Sequence, residues 1–238
     1  FSFPLEAGIY STRGAGEIDP YRFTHALIAK GVQKGMQVYE NTEVNKIKPE
    51  TDSVSLEIKN GKTIKAKKVV IATGYEGVRY VREKIANLNR TYTIVTKPVE
   101  NFNGWHNRCL IRTSSTPYIY LRTTDDNRII IGGEDSGLIS LTDLDVVAKR
   151  KYRTLLNTLQ SMFPQIPNLE VEYQFSGIFA ETRDGLPYIG EYKDLPNCYF
   201  SLGYGSNGVL YGILGGQLIR DLYLGQPSPD LELFKFGR

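Results

Sequence analysis

The 238-residue sequence is poor in the residues that most often bind metals or form disulfides. It has two cysteines, Cys109 and Cys198, and two histidines, His25 and His106. The cysteines are far apart and lack metal-ligand spacing, and two histidines alone cannot build a metal site. We therefore expect no bound metal, two buried thiols in a reducing compartment, and a cytoplasmic protein.

The sequence also lacks a strong charge of one sign and any long apolar run. Its 29 Lys and Arg residues against 26 Asp and Glu residues give a net charge of +3. This small excess is scattered along the chain, so it does not predict binding to nucleic acid. No apolar stretch approaches the roughly 20 residues of a membrane-spanning helix. A small-molecule partner is therefore expected, and the oligomeric state stays open.

Both ends of the sequence have the pattern of an α/β sheet. Asp19-Pro20 predicts a helix start, with Asp as the cap and Pro as the first helical residue. A strand is expected at residues 36–40, and alternating apolar residues lead to Asn60-Gly61, a favoured two-residue hairpin turn. Residues 69–72 are continuously apolar, which favours a strand buried on both faces of a layered sheet.

The middle of the sequence has an antiparallel pattern. Residues 91–135 contain short runs of β-branched and aromatic residues separated by turn signals, and a helical pattern follows. The predicted fold class is therefore mixed α/β. We expect an α/β domain at residues 1–90 and 170–238, interrupted by an antiparallel-sheet domain at residues 91–169, with residues 1–16 placed at the junction.

Residues 203–208 read GYGSNG and run directly into a predicted helix. Three glycines in six residues exceed what a simple turn needs. They indicate that the backbone comes close to a ligand, to which the helix N-terminus offers unpaired N–H groups. The alternative is close packing of a helix on a strand, which we favour for Gly212, Gly215 and Gly216.

Six motifs in order resemble the FAD-dependent oxidoreductases of the D-amino-acid oxidase superfamily. They are GEIDP (16–20), NTEV (41–44), VVIATG (69–74), YIYLR with IIIGG (118–122 and 129–133), RDGLPYIG (183–190) and the glycine loop. The resemblance covers nearly the whole chain. It implies part of an FAD-binding α/β domain, interrupted by an antiparallel substrate-binding domain.

In such proteins a G-x-G-x-x-G turn near the natural N-terminus binds the ADP part of FAD, and no such turn is found near the start of this sequence. We therefore expect a fragment without about the first third of its parent, and weak or absent binding of FAD by the fragment alone. Some relatives attach FAD through a cysteine near the strand before the TRDG turn. Neither cysteine lies there, so the FAD is expected to be noncovalent.

The resemblance also implies which residues contact the cofactor. The glycine loop would lie against the isoalloxazine ring, and residues 72–74 would pass close to the cofactor. Val44 would contact the adenine through its backbone, with a core valine as an equal alternative. The expected cofactor-binding residues are Val44, Ala72, Thr73, Gly74, Gly177, Pro187, Gly203, Tyr204, Gly205, Ser206, Asn207, Gly208 and Val209.

By the same resemblance, the protein oxidises the carbon beside an amine nitrogen by hydride transfer to flavin. Glycine-oxidase-like members hold the substrate carboxylate with an arginine, but the matching residue here is Phe179. A second basic position is Ser206. These departures favour an amine or an N-substituted substrate over a plain amino acid.

Tyr118 matches a tyrosine that lines the substrate pocket in relatives, and Tyr120 and Arg122 share its strand face by alternation. These three are the candidate catalytic residues, with an ordinary sheet face as the alternative. Two other functions stay open. One is a non-catalytic binding domain or subunit that keeps the fold, and the other is flavin-dependent oxidation of a hydroxy acid.

Overall fold

The computed structural model of the protein describes residues 1–14, 16–115, 117–138 and 141–238, with the backbone alone at residues 141–143. Its strands belong to more than one sheet. The helices and strands follow one another in this order: α1 (Pro20–Gln33), β1 (Val44–Pro49), β2 (Val54–Ile58), β3 (Thr63–Ala66), β4 (Val69–Ile71), β5 (Ala86–Thr96), β6 (Ile111–Arg112), β7 (Ile119–Thr123), β8 (Ile129–Gly137), α2 (Leu141–Met162), β9 (Val171–Thr182), β10 (Tyr188–Tyr192), β11 (Leu195–Leu202) and α3 (Gly208–Tyr223). A 3₁₀ segment at Gly74–Tyr80 follows β4.

The chain forms two compact units. The first unit contains Phe1–Glu17 and Leu88–Ile178, and the second unit contains Ile18–Asn87 and Phe179–Arg238. The predicted mixed α/β fold class is confirmed. The assignment of residues 1–90 and 170–238 to FAD binding, and of residues 91–169 to substrate binding, stays a prediction. Within the described ranges, no helix is both long and apolar enough to cross a membrane.

The first unit is built on a five-stranded sheet in the order β6-β7-β8-β5-β9. Side chains alternate across β7: Leu121 is fully buried, whereas Tyr120 and Arg122 point to the other face and stay partly accessible. The buried face packs against α2, whose Leu155 and Leu159 are fully buried. One face of the sheet therefore forms the core of this unit, and the other presents polar and aromatic side chains.

The second unit contains two three-stranded sheets, one in the order β1-β2-β3 and the other in the order β10-β11-β4. The predicted hairpin at Asn60-Gly61 is confirmed: β2 and β3 pair antiparallel, and Gly61 has a φ of +83°. In the other sheet, β4 and β11 pair in parallel, with Ile71 opposite Phe200. Parallel pairing places the carboxyl ends of both strands at one edge of this sheet.

Helix α3 packs against β11 through a glycine. A Cβ added to Gly215 would lie 2.2 Å from Ser201 Oγ, so a larger residue would have to displace this hydroxyl. The preference for helix packing is thus confirmed at Gly215. It is wrong for Gly212 and Gly216, because an added Cβ on either would meet no described atom within 4 Å.

One strand prediction and one burial prediction fail in the second unit. Residues 36–40 lie in the described part of the chain but form no strand, and Tyr39 is 67% exposed because no described strand pairs with this segment. Val70 was expected to be buried and is 50% exposed. It lines a groove of about 650 Å³ that also borders on Gly212 and Gly216, neither of which has a side chain to cover it.

Candidate cofactor site

The shared carboxyl edge of β4 and β11 brings two of the predicted segments together. Strand β4 runs into Ala72, Thr73 and Gly74, and β11 runs into Gly203. The 3₁₀ segment after β4 lies against the end of β11, since a Cβ added to its Gly77 would be 3.3 Å from Leu202 Cδ2. Ligands of open α/β sheets gather at such edges.

The glycines of this edge have two different structural roles. Gly74, Gly203 and Gly205 have positive φ values of +60°, +78° and +54°, which side-chain-bearing residues adopt at a cost. A Cβ added to Gly203 would lie 2.8 Å from Thr182 Cγ2, so Gly203 permits close packing within the unit. A Cβ added to Gly74 or Gly205 would meet no described atom within 4 Å. Backbone is therefore presented to open space at these two positions.

The glycine loop is fixed at its base by backbone hydrogen bonds. Gly205 N donates to Ala180 O at 3.0 Å, and Asn207 N donates to Tyr204 O at 3.1 Å. A β-bridge between Glu181 and Tyr204 adds to this attachment. The loop is thus held against the last residues of β9.

The N-terminus of α3 follows directly and is open. Asn207 precedes the first helical residue, Gly208, and its side chain makes no capping hydrogen bond within the described structure. The first intrahelical donor is Tyr211 N, which bonds Asn207 O at 3.1 Å, so the N–H groups of residues 208–210 precede the helical ladder. Ser206, Asn207, Gly208 and Val209 are exposed, and the first turn carries no acidic residue. This end of the helix can therefore accept a negatively polarised group.

The Tyr204 side chain attaches the glycine loop to β11. Its hydroxyl donates to Ser201 Oγ at 2.5 Å, and Ser201 is the residue that packs under Gly215 of α3. Burial raises the pKa of Tyr204, partly offset by the hydrogen bond with Ser201. The side chain is partly buried and lines the groove that also borders on Ala72.

Pro187 lies in the turn between β9 and β10, and Tyr188, which begins β10, lies beside the glycine loop. A Cβ added to Gly203 would be 4.0 Å from both the Tyr188 ring and Tyr188 N. The turn is closed by Thr182 Oγ1, which donates to Leu186 O at 2.8 Å, and by Leu186 N, which donates to Asp184 Oδ1 at 3.1 Å. Hydrogen bonds from Arg238 lower the pKa of Asp184 strongly. The carboxylate is thereby kept ionised as an acceptor.

Two predicted cofactor residues belong to other sheets. Val44 is the first residue of β1, in the other sheet of the second unit, opposite Ile58. Beside it is a recess of about 300 Å³, lined by Asn41, Thr42, Glu43, Ile58, Lys59 and Asn60. Gly177 lies in the part of β9 that belongs to the first unit, where an added Cβ would be 4.0 Å from Thr91 Cγ2.

The candidate catalytic residues lie together in the first unit. The rings of Tyr118 and Tyr120 are 6.2 Å apart, and the guanidinium of Arg112 lies 4.7 Å above the Tyr118 ring. The hydroxyls of Tyr120 and Thr93 are hydrogen-bonded at 3.2 Å. Arg122 forms an ion pair with Glu17, with Nη2 and Oε2 3.4 Å apart. The charge of Arg122 is therefore balanced within the unit.

Several residues that shape these sites were missed from the sequence. Gly132 lies under Tyr120, and the double glycine of IIIGG was a signal that could have shown it. Thr93 and Glu17 hold Tyr120 and Arg122 through contacts distant in sequence, for which no local pattern exists. The same is true of Arg238, which bonds the turn that carries Pro187.

Parallel strands that end at glycine-containing turns, followed by an open helix N-terminus, are typical of α/β proteins that bind ligands at the carboxyl ends of their strands. Comparison with known families makes the class specific. The family model described as "FAD dependent oxidoreductase" (DAO) matches residues 2–222, and the chain belongs to this family.

Individual relatives are distant. The glycine oxidase of Geobacillus kaustophilus is 27% identical over 234 residues, covering 91% of this chain and 56% of the relative. The gamma-glutamylputrescine oxidoreductase of Escherichia coli is 34% identical over 107 residues, covering 44% of this chain and 23% of the relative. The solved L-proline dehydrogenase of P. horikoshii superposes with a TM-score of 0.75 at 21% identity, over 91% of this chain and 59% of that one, and shows the shared fold. The chain spans about half the length of the glycine oxidase it matches.

Proposed function

We propose that the protein is an FAD-dependent oxidoreductase that oxidises a C–N bond of an amine or amino-acid-like substrate by hydride transfer to flavin. The observation that carries the proposal is the open, positive-φ backbone at Gly74 and Gly205, beside the uncapped N-terminus of α3. A flat ring system can approach such backbone without meeting a side chain. Because the chain belongs to the family of FAD-dependent oxidoreductases, the flavin of FAD is the ring system we propose.

The chain's own residues fit FAD at three places. The N–H groups of residues 208–210 would stabilise negative charge on the pyrimidine end of the flavin. Gly74 and Gly205 would give clearance to its ring, and the recess beside Val44 would receive the adenine. When bound, FAD supplies the two-electron acceptor for substrate oxidation. Cys198 is buried as expected, whereas Cys109, also expected to be buried, is partly accessible. Neither cysteine lies in the strand before the TRDG turn, where some relatives attach FAD, so we propose noncovalent FAD.

The proposed substrate surface is the partly accessible sheet face of the first unit. Tyr118 and Tyr120 give it an aromatic, hydroxyl-bearing character, and Arg122 is already paired with Glu17. By the resemblance drawn from the sequence, Phe179 would stand where glycine-oxidase-like members have a carboxylate-binding arginine. Among the relatives, one is named for glycine and another for gamma-glutamylputrescine, which supports the class of amines and amino acids. Within this class we favour amines without an adjacent carboxylate.

The test is anaerobic flavin reduction in the full-length protein purified with FAD. A panel of primary amines, secondary amines and amino acids is added, and loss of the flavin's visible absorbance is followed. We expect loss of absorbance with amines that lack a carboxylate. Reduction by amino acids alone would contradict the role given to Phe179, and a protein that binds no FAD would overturn the proposed function.

A matched pair of glycine variants tests the site itself. Gly205→Ala and Gly225→Ala place the same methyl group on backbone with φ values of +54° and +74°, and both added Cβ atoms would meet only open space among the described residues. The intrinsic strain is therefore similar, about 1 kcal/mol in each. Gly205→Ala is expected to weaken FAD binding, whereas Gly225→Ala, at the far end of α3, is expected to leave it unchanged. Equal FAD affinity in the two variants would refute the contact at Gly205.

A further inference from the structure

Arg238 closes the turn that contains Pro187 through several contacts at once. Its Nε and Nη2 lie 2.8 Å and 3.2 Å from the two carboxylate oxygens of Asp184, which is bidentate geometry. Nη2 also donates to Leu186 O at 2.6 Å. The guanidinium stacks 3.9 Å from the centre of the Tyr188 ring. Only 13% of the arginine side chain is exposed, whereas 44% of the Asp184 side chain is, so solvent screens the ion pair from the carboxylate side.

The same turn lies directly against the glycine loop. Asp184 Oδ1 also accepts from Thr182 Oγ1 at 3.2 Å, so the carboxylate joins Arg238 to Thr182. The Thr182 methyl group is the atom 2.8 Å from a Cβ added to Gly203. The Tyr188 ring, under the guanidinium, is 4.0 Å from the same point. Two short paths therefore lead from Arg238 to Gly203, one through Asp184 and Thr182 and the other through Tyr188.

We propose that Arg238 is a positioning residue for the FAD site, which fixes the 182–188 turn and, through Thr182 and Tyr188, the placement of the glycine loop against the bound flavin. The inference rests on the proposed function. It adds a residue that touches no cofactor and lies more than 50 positions from the turn it holds. The segment after α3 thus contributes to cofactor binding.

The chemistry of the clamp requires an arginine. The planar guanidinium bonds both oxygens of Asp184, donates to a carbonyl and stacks on a ring at the same time. A lysine ammonium provides the charge, but it has neither the fork nor the flat face. Arg238→Lys is therefore expected to behave like Arg238→Gln in flavin binding, although it keeps the charge.

The experiment measures FAD affinity and the flavin reduction potential in the full-length protein. The variants are Arg238→Gln, Arg238→Lys and Asp184→Asn, with Lys235→Gln as the control. Lys235 pairs with Glu232 in the same segment and contacts no residue of the turn through its side chain. We expect FAD affinity to fall about tenfold in all three clamp variants, as for the loss of one charge-assisted hydrogen bond. The reduction potential should shift with it, and Lys235→Gln should stay within about twofold of the wild type.

The outcomes separate the two proposals. Wild-type protein that binds no FAD would overturn the proposed function and this inference together. Wild-type protein that binds FAD while Arg238→Gln keeps the same affinity and potential would overturn this inference alone. The double variant Arg238→Gln/Asp184→Asn is expected to be no weaker than either single variant, since both remove the same clamp. Additive losses, or full rescue by Arg238→Lys, would contradict the clamp.

Discussion

The ring of Tyr120 lies directly on Gly132, its partner on the neighbouring strand. The two residues are opposite each other in the β7–β8 pair, and a Cβ added to Gly132 would be 2.3 Å from the Tyr120 hydroxyl oxygen. Glycine at position 132 therefore lets the ring lie flat on the sheet. In this position its hydroxyl reaches Thr93 Oγ1 at 3.2 Å.

Gly132→Ala is expected to lift the Tyr120 ring off the sheet and break its bond to Thr93. If Tyr120 contacts the substrate, kcat/KM falls about tenfold, the effect of roughly 1.4 kcal/mol. The control is Gly137→Ala in the same strand, where an added Cβ would meet no described atom within 4 Å. The measurement is steady-state kinetics of both variants beside their melting temperatures. Equal kcat/KM in the two variants would place Tyr120 outside the substrate surface.

Tyr204→Phe is expected to separate loop stability from cofactor contact. Removing the hydroxyl leaves Ser201 Oγ without its 2.5 Å partner in a buried site, at a cost of about 1 kcal/mol. The melting temperature should therefore fall by about 2–4 °C. FAD affinity of the folded protein should change little, because the hydroxyl that is removed is bonded to Ser201 Oγ. A large loss of FAD affinity without a lower melting temperature would show that the side chain contacts the cofactor.

Phe179→Arg is expected to move substrate preference towards amino acids. The new guanidinium would bind a carboxylate beside the amine, so the ratio of kcat/KM for an amino acid to that for the matching amine should rise at least about tenfold. Phe175→Arg adds the same charge on the same strand, four residues earlier, at a side chain that is 54% exposed. An equal rise in both variants would mean that charge alone, rather than position 179, sets the preference.

Acid should selectively remove the stabilisation given by the Arg238–Asp184 clamp. Arg238 lowers the pKa of Asp184 in the folded protein, so the carboxylate stabilises the fold at pH values above its ordinary pKa of about 3.9. This contribution is lost as the pH falls through the lowered pKa. The melting temperature of wild type should therefore exceed that of Asp184→Asn near pH 7, and the difference should narrow below about pH 3.9. A difference that stays constant with pH would contradict the ion pair.

Local sequence patterns predicted the parts of the fold that depend on neighbouring residues. Asp19 caps α1 as expected, with its side chain accepting from Arg22 N at 3.0 Å. The turn at Asn60-Gly61 formed for the same reason, since its geometry needs a residue that tolerates positive φ. The open backbone at Gly205 followed from glycine content before a helix.

The failures came from contacts that no local pattern contains. The apolar residues 69–72 fit a buried strand. Val70 is nevertheless exposed, because the α3 residues that line the same groove, Gly212 and Gly216, have no side chains, and they lie far along the chain. The attachment of Arg122 to Glu17 and of Arg238 to Asp184 likewise joins segments far apart in the chain. A pattern of residue types gives the face of a strand, but only the folded chain shows what lies over that face.

The parallel pairing of β4 with β11 also sets an order of events during protein synthesis. Lys68 Nζ bonds Asn197 Oδ1 beside this pair, across 129 positions. At roughly 5–20 residues per second, a ribosome needs about 6–26 s to make that stretch. The residues of the antiparallel sheet emerge within this interval, so their local contacts can form before β11 is available to pair with β4. The edge with the open glycines is completed late, so the FAD site proposed above would not yet exist on a nascent chain stalled before β11.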